Sequence, residues 1–115
     1  IIGRHSHFVI SVCIEGSTVV SGSQDKTVRV WDLDNPNNTR EIGRHDDSVM
    51  TVCIEGNQVI SGGHDRVVRL WDLSNSNNNR EIGRHDAVIL SVCIEGNRVV
   101  SGSFDGTIRV WDLIQ

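Results

Sequence analysis

Short apolar runs rich in β-branched residues recur along this chain, each closed off by a polar turn. The clearest is 49–54, where Val49, Val52 and Ile54 frame a stretch that ends at Glu55-Gly56-Asn57. Such a run is too short for a helix of ordinary length and has the composition of a strand. Gly56-Asn57 suits a tight hairpin, because glycine takes a positive φ at no steric cost. Residues 58–61 read as the second strand, Gly62-Gly63-His64-Asp65 as the next turn, and 67–73 as a third strand containing Trp71. The Asn-rich stretch 74–79 is polar and belongs on the surface. Residues 80–83 form a short fourth strand. Pro36 falls in the matching loop of the first unit, where its missing N–H costs no ladder bond.

The same order of elements returns every 40 residues without an insertion: His5, His45 and His85; Asp25, Asp65 and Asp105; Trp31, Trp71 and Trp111. A fixed period of that length marks a repeat architecture. One domain, 1–115, divides into units 1–40, 41–80 and 81–115. Four short strands per unit, the third ending in Trp-Asp-Leu, make a propeller-blade pattern. Ser61-Gly62-Gly63-His64-Asp65 leading into Val68-Arg69-Leu70-Trp71-Asp72-Leu73 resembles the WD-repeat (tryptophan–aspartate) β-propeller family. The segments 21–33 and 101–113 resemble it more closely still, so the likeness covers nearly the whole chain. Two departures stand out. Arg4-His5, Arg44-His45 and Arg84-His85 replace the family's Gly-His, and the first hairpin is shorter than usual. The expected fold is all-β: blades of four antiparallel strands, three per chain, completed to a closed ring by homo-oligomerisation.

The resemblance also gives roles to residues. His5, Ser21, Asp25 and Trp31 correspond to a buried hydrogen-bonded tetrad. So do His45, Ser61, Asp65 and Trp71, and His85, Ser101, Asp105 and Trp111. The Trp N–H donates to Ser, Ser to His, and His to Asp. The competing reading is a Ser-His-Asp hydrolase. It needs an exposed nucleophile, an oxyanion hole and a pocket, and no sequence feature supplies them. The chain is therefore expected not to be an enzyme and to need no cofactor.

Two expectations concern assembly. The end units keep the apolar framework of the middle one, at Val9, Val12 and Ile14 and at Ile89, Val92 and Ile94, with no polar cap of the kind repeat proteins use. Ile1, Ile2 and Gly3 match Glu41, Ile42 and Gly43 of the fourth strand, while the last unit stops soon after its third strand. Residues 1–3 of one copy are thus expected to complete the last blade of another. Head-to-tail contacts of this kind close into rings or run on as filaments. A homodimer gives six blades at about 60° each and a homotrimer nine at about 40°; six lies inside the usual four-to-eight range.

Composition narrows the partners. With 11 basic against 15 acidic residues, a net charge of −4 and no basic run, the chain lacks the stripe of a nucleic-acid binder. No apolar stretch is long enough to span a bilayer, and no signal peptide is visible. Cys13, Cys53 and Cys93 stand one per unit inside apolar runs and read as small buried residues rather than a disulfide set or a metal site. They fit a reducing compartment and hence the cytoplasm. Differences between units concentrate at His7 and Asp47 and at the tips carrying Gln24, His64 and Phe104, with Lys26 and Arg66 beside them. These form the candidate rim for a protein or peptide, and Phe104 is its candidate anchor. Arg4, Arg44 and Arg84 are a candidate ring of charge for an anion, with Asp46 and Asp86 expected to neutralise it. The functional expectation is a self-assembling interaction scaffold; the alternative is a pure assembly module, natural or engineered.

Overall fold

Three antiparallel sheets succeed one another in the computed structural model, which describes residues 1–113. The first runs β1 (Val9–Glu15), β2 (Thr18–Ser23), β3 (Thr27–Asp32), β4 (Thr39–Arg44) in that spatial order. The second repeats it with β5 (Val49–Glu55), β6 (Gln58–Gly63), β7 (Val67–Asp72) and β8 (Arg80–Arg84). The third holds β9 (Ile89–Glu95), β10 (Arg98–Ser103) and β11 (Ile108–Asp112), three strands among the described residues. Each first hairpin turns on a glycine with positive φ: Gly16 at 59°, Gly56 at 60° and Gly96 at 59°. The 74–79 loop contains one 3-10 turn, Ser76–Asn78, started by the Asn75 side chain accepting from the Asn77 amide at 3.0 Å.

One expected turn is a correction. Gly62 and Gly63 are the last residues of β6, and the reversal comes at His64, Asp65 and Arg66. The absence of side chains serves packing here rather than turning. A Cβ on Gly62 would lie 2.8 Å from the Ile89 side chain, and one on Gly63 would strike the Ser48 carbonyl. Arg66 then carries the left-handed conformation, at φ 71°, as Lys26 does at 77°; only the third unit supplies a glycine there, Gly106 at 84°.

The core lies between sheets, not within them, because a blade is apolar on both faces. One cluster joins Val20, Val28 and Val30 of the first sheet to Val49, Val52, Val59 and Trp71 of the second. The next joins Ile60, Val68 and Leu70 to Ile89, Val92 and Val99. Each interior joint therefore mates a leading face with a trailing face. The outermost copies of those faces are uncovered. Val12 is 64% exposed where its counterpart Val52 is 6%, and Ile108 is 79% exposed where Val68 is 0%. β1 lies alongside β5 and β5 alongside β9, so the first strands of the three units are neighbours.

Residues 1–3 belong to no strand. Gly3 nonetheless sits flat on the Trp31 ring, as Gly43 sits on Trp71 and Gly83 on Trp111; a Cβ at any of the three would run into the indole. Among the described residues no helix is long and apolar enough to cross a membrane.

Candidate functional site

The sheet register brings the four recurring polar side chains of each unit together. Ser61 pairs across the ladder with Arg69, two residues before Trp71 on β7, and the chain leaving β8 carries His45's counterpart for the next blade. In the middle unit the Trp71 indole N–H donates to Ser61 Oγ at 2.7 Å, Ser61 Oγ lies 2.6 Å from His45 Nε2, and His45 Nδ1 lies 2.8 Å from Asp65 Oδ2. The first unit repeats this at 2.8, 2.6 and 2.9 Å through Trp31, Ser21, His5 and Asp25. The third does so at 2.9, 2.6 and 3.2 Å through Trp111, Ser101, His85 and Asp105. An indole N–H can only donate, so the serine hydroxyl must accept from it and donate its own proton to Nε2. The imidazole proton then sits on Nδ1, facing the carboxylate, a tautomer assigned from the network.

The carboxylate ends of these chains are stabilised in their charged form. At Asp65, burial pushes the pKa up, but the His45 bond and the amides of Val67 and Asp46 outweigh it, and the value lies below the usual carboxylate range. Asp25 is likewise lowered: burial opposes, while the Thr27 hydroxyl and amide, His5 and the Ser6 amide prevail. At Asp105 the Thr107 hydroxyl is the largest cause of the lowering. The middle unit has Val67 where the others have Thr27 and Thr107, so its aspartate lacks that hydroxyl.

As a hydrolytic centre the arrangement is poorly placed. Ser61 is wholly enclosed, Ser21 and Ser101 nearly so, and each Oγ already serves an indole and an imidazole. Four surface depressions among the described residues, including the one lined by Arg40 and Trp71, do not reach any of the three serines. Among the described residues no group of three or more His, Cys, Asp or Glu side chains gathers as a metal site requires. The cysteines are free thiols, and burial pushes Cys13 up to about 11 and Cys53 up to about 12.

The candidate rim residues share one edge of each blade. The β2–β3 tip is tied to the loop before β1 by the Gln24 amide donating to the Phe8 carbonyl at 2.9 Å. His64 to Ser48 at 3.1 Å and Phe104 to Val88 at 3.0 Å repeat the tie. His7, Gln24, Lys26, Asp47, His64, Arg66 and Phe104 are all exposed there. Phe8, whose carbonyl holds the Gln24 tip, is a further candidate for this edge that sequence reasoning missed. It is a second exposed aromatic, hidden in the sequence because it directly precedes the apolar run of β1. The arginine ring is a further correction. Arg44 pairs with Glu41 at 3.1 Å and Arg84 with Glu81 at 2.8 Å, on their own strands, and not with Asp46 or Asp86, whose amides instead bond the tetrad carboxylates.

The family profile described as WD domain, G-beta repeat matches residues 2–32, 36–72 and 77–112. No curated protein matches the chain. Among solved structures, the computationally designed Ika8 protein superposes with a TM-score of 0.85 at 30% identity, over 96% of this chain and 35% of that one. The WD40 β-propeller domain of Doa1 superposes with a TM-score of 0.82 at 24% identity, over 96% of this chain and 39% of that one, and supports the fold alone. The chain thus spans little more than a third of the length of either of these chains. With its profile matched three times in register and its blades superposing on propeller blades, this chain belongs to the WD40 repeat family.

Proposed function

We propose that this chain is a non-enzymatic scaffold whose copies join head to tail into a closed propeller and present the rim loops to a protein or peptide. The observation that carries the reading is the pair of uncovered apolar faces. Val9, Val12 and Ile14 on one side and Ile108 and Val110 on the other are exposed, although their counterparts in the interior joints are buried or partly so. Apolar areas of that extent mark interaction surfaces. The placement of Gly3 on Trp31, which repeats Gly43 on Trp71 and Gly83 on Trp111, supports residues 1–3 serving as the fourth strand of a neighbouring copy. A dimer of six blades is the preferred ring, a trimer of nine the other closed form. The tetrads are proposed as stiffening networks, since a fully paired buried polar chain fixes one arrangement of the elements it joins. Free thiols favour a reducing, cytoplasmic setting. The designed neighbour favours a second reading, a pure assembly module with no dedicated ligand.

Light scattering on the 115-residue chain tests the assembly. The expected mass is two or three times 12.8 kDa, lowered towards the protomer on deletion of residues 1–3. A folded species of 12.8 kDa at high concentration overturns the ring. An assembled ring that binds nothing in a peptide-library screen favours the pure assembly module.

A further inference from the structure

The two interior joints repeat several contacts besides their apolar cores. At the first, the Val52 amide donates to Ser11 Oγ at 3.1 Å, the Gly56 amide donates to the Glu15 carboxylate at 2.9 Å, and the Val49 side chain covers Gly22. At the second, the Val92 amide donates to Thr51 Oγ at 3.1 Å, the Gly96 amide to Glu55 at 2.8 Å, and Ile89 covers Gly62. Every one of these pairs spans a blade boundary. The leading blade contributes a hydroxyl, a carboxylate and a glycine, and the trailing blade two amides and a β-branched side chain.

The third unit holds the leading half of a further joint, at Ser91, Glu95 and Gly102. Ser91 and Glu95 are exposed, and a Cβ on Gly102 meets no atom within 4 Å. The first unit holds the trailing half, at the Val12 and Gly16 amides and the half-exposed Val9. Among the described residues Gly16 has no side-chain acceptor of the kind that holds Gly56 and Gly96. The chain's only two phenylalanines flank the same two half-joints. Phe104 follows Gly102 by two positions and Phe8 precedes Val9 by one; both are more than 70% exposed, at 73% and 77%. Neither interior joint has a phenylalanine at either position: Gln24 and Ser48 stand at one, His64 and Val88 at the other.

We infer that the occupant of both open faces is a second copy of this chain, held by a seam in which Glu95 accepts the Gly16 amide of the next copy. In that seam Ser91 accepts the next copy's Val12 amide, Val9 covers Gly102, and Phe104 and Phe8 meet at the rim end. This rests on the ring reading above and assigns its contacts residue by residue. The aromatic pair makes the seam chemically different from the joints inside a chain and explains why two large apolar side chains sit at the surface.

Gly102→Ala is the informative variant. The lone protomer has room for the methyl, so it folds, whereas the same change at Gly22 or Gly62 would press on Val49 or Ile89 within the chain. Overpacking in the seam should raise the dissociation constant, read by sedimentation over a concentration series, about tenfold or more. Adding Val9→Ala to Gly102→Ala removes the opposing methyls and should recover most of that loss, a coupling that unrelated sites do not show. Glu95→Ala should weaken assembly about tenfold, with the dilute protomer's circular dichroism unchanged. A parent chain that stays monomeric overturns the ring itself. A parent that assembles while Gly102→Ala assembles equally well overturns only the seam, and loss without recovery in the double variant overturns the Val9–Gly102 pairing.

Discussion

Ser61→Ala removes one oxygen from the centre of the middle blade. That oxygen is wholly enclosed and is the meeting point of two short bonds, 2.7 Å from the Trp71 indole nitrogen and 2.6 Å from His45 Nε2. Alanine occupies the same backbone position without strain, so the cost is electrostatic. Two hydrogen bonds disappear and, more importantly, a buried N–H and a buried ring nitrogen lose their partners. Each orphaned group costs about 1–3 kcal/mol, against about 1 kcal/mol for an average bond exchanged with water. The sum is about 2–6 kcal/mol, a large share of the roughly 5–15 kcal/mol that holds a domain of this size together. With a urea dependence of about 2 kcal/mol/M, the unfolding midpoint should fall by about 1–3 M. The assay is urea unfolding followed by tryptophan fluorescence at a fixed protomer concentration, since assembly contributes to the measured stability. Ser76→Ala, in an exposed turn, is the control and should stay within about 0.5 kcal/mol. A midpoint shift at Ser61 no larger than the control's would refute the assignment of the serine as the hub of a buried network.

Acid should act on the same network through its carboxylates. The folded-state pKa values of Asp25, Asp65 and Asp105 are depressed, so their contribution is complete above the unfolded value of about 3.9 and is lost as pH falls through the folded values. Melting temperature should be insensitive to these groups above about pH 5 and fall below about pH 4, with Asp65→Asn flattening the acid limb; an unchanged limb in that variant counts against the linkage. At the β6–β7 tip, Arg66→Gly relieves a left-handed arginine and should raise stability by up to about 1 kcal/mol, while Gly106→Ala should lower it by a similar amount. A destabilised Arg66→Gly would show that the exposed arginine side chain holds the turn.

The repeat and the strand order were legible because they depend on positions inside one 40-residue unit, and the tetrads because each unit resembles the WD-repeat pattern. Ser61, Trp71 and Asp65 recur at fixed spacing, and spacing survives in a linear sequence. What escaped depends on the neighbouring unit. Gly62-Gly63 looks like a turn until Ile89 and the Ser48 carbonyl are known to press on it. Glu15 and Glu55 look like solvated strand ends, yet each receives an amide 41 residues away. Arg44 stands beside Asp46 in the sequence, but it turns back to Glu41, three residues earlier on its own strand. Phe8 directly precedes the apolar run of β1, and nothing local in the sequence separates this last loop residue from the first strand residue.

In the hydrogen bonds that bridge neighbouring blades through Ser11, Thr51, Glu15 and Glu55, the trailing partner contributes backbone amides rather than side chains. Mutation cannot delete an amide short of introducing proline, so half of that recognition is immune to drift. A unit gained or lost by duplication or deletion in the gene would meet its new neighbour with the donors already in place. The number of blades in descendants of such a chain is then set by curvature, by how tightly successive sheets can turn before the circle closes, and scarcely by any need to invent a matching surface.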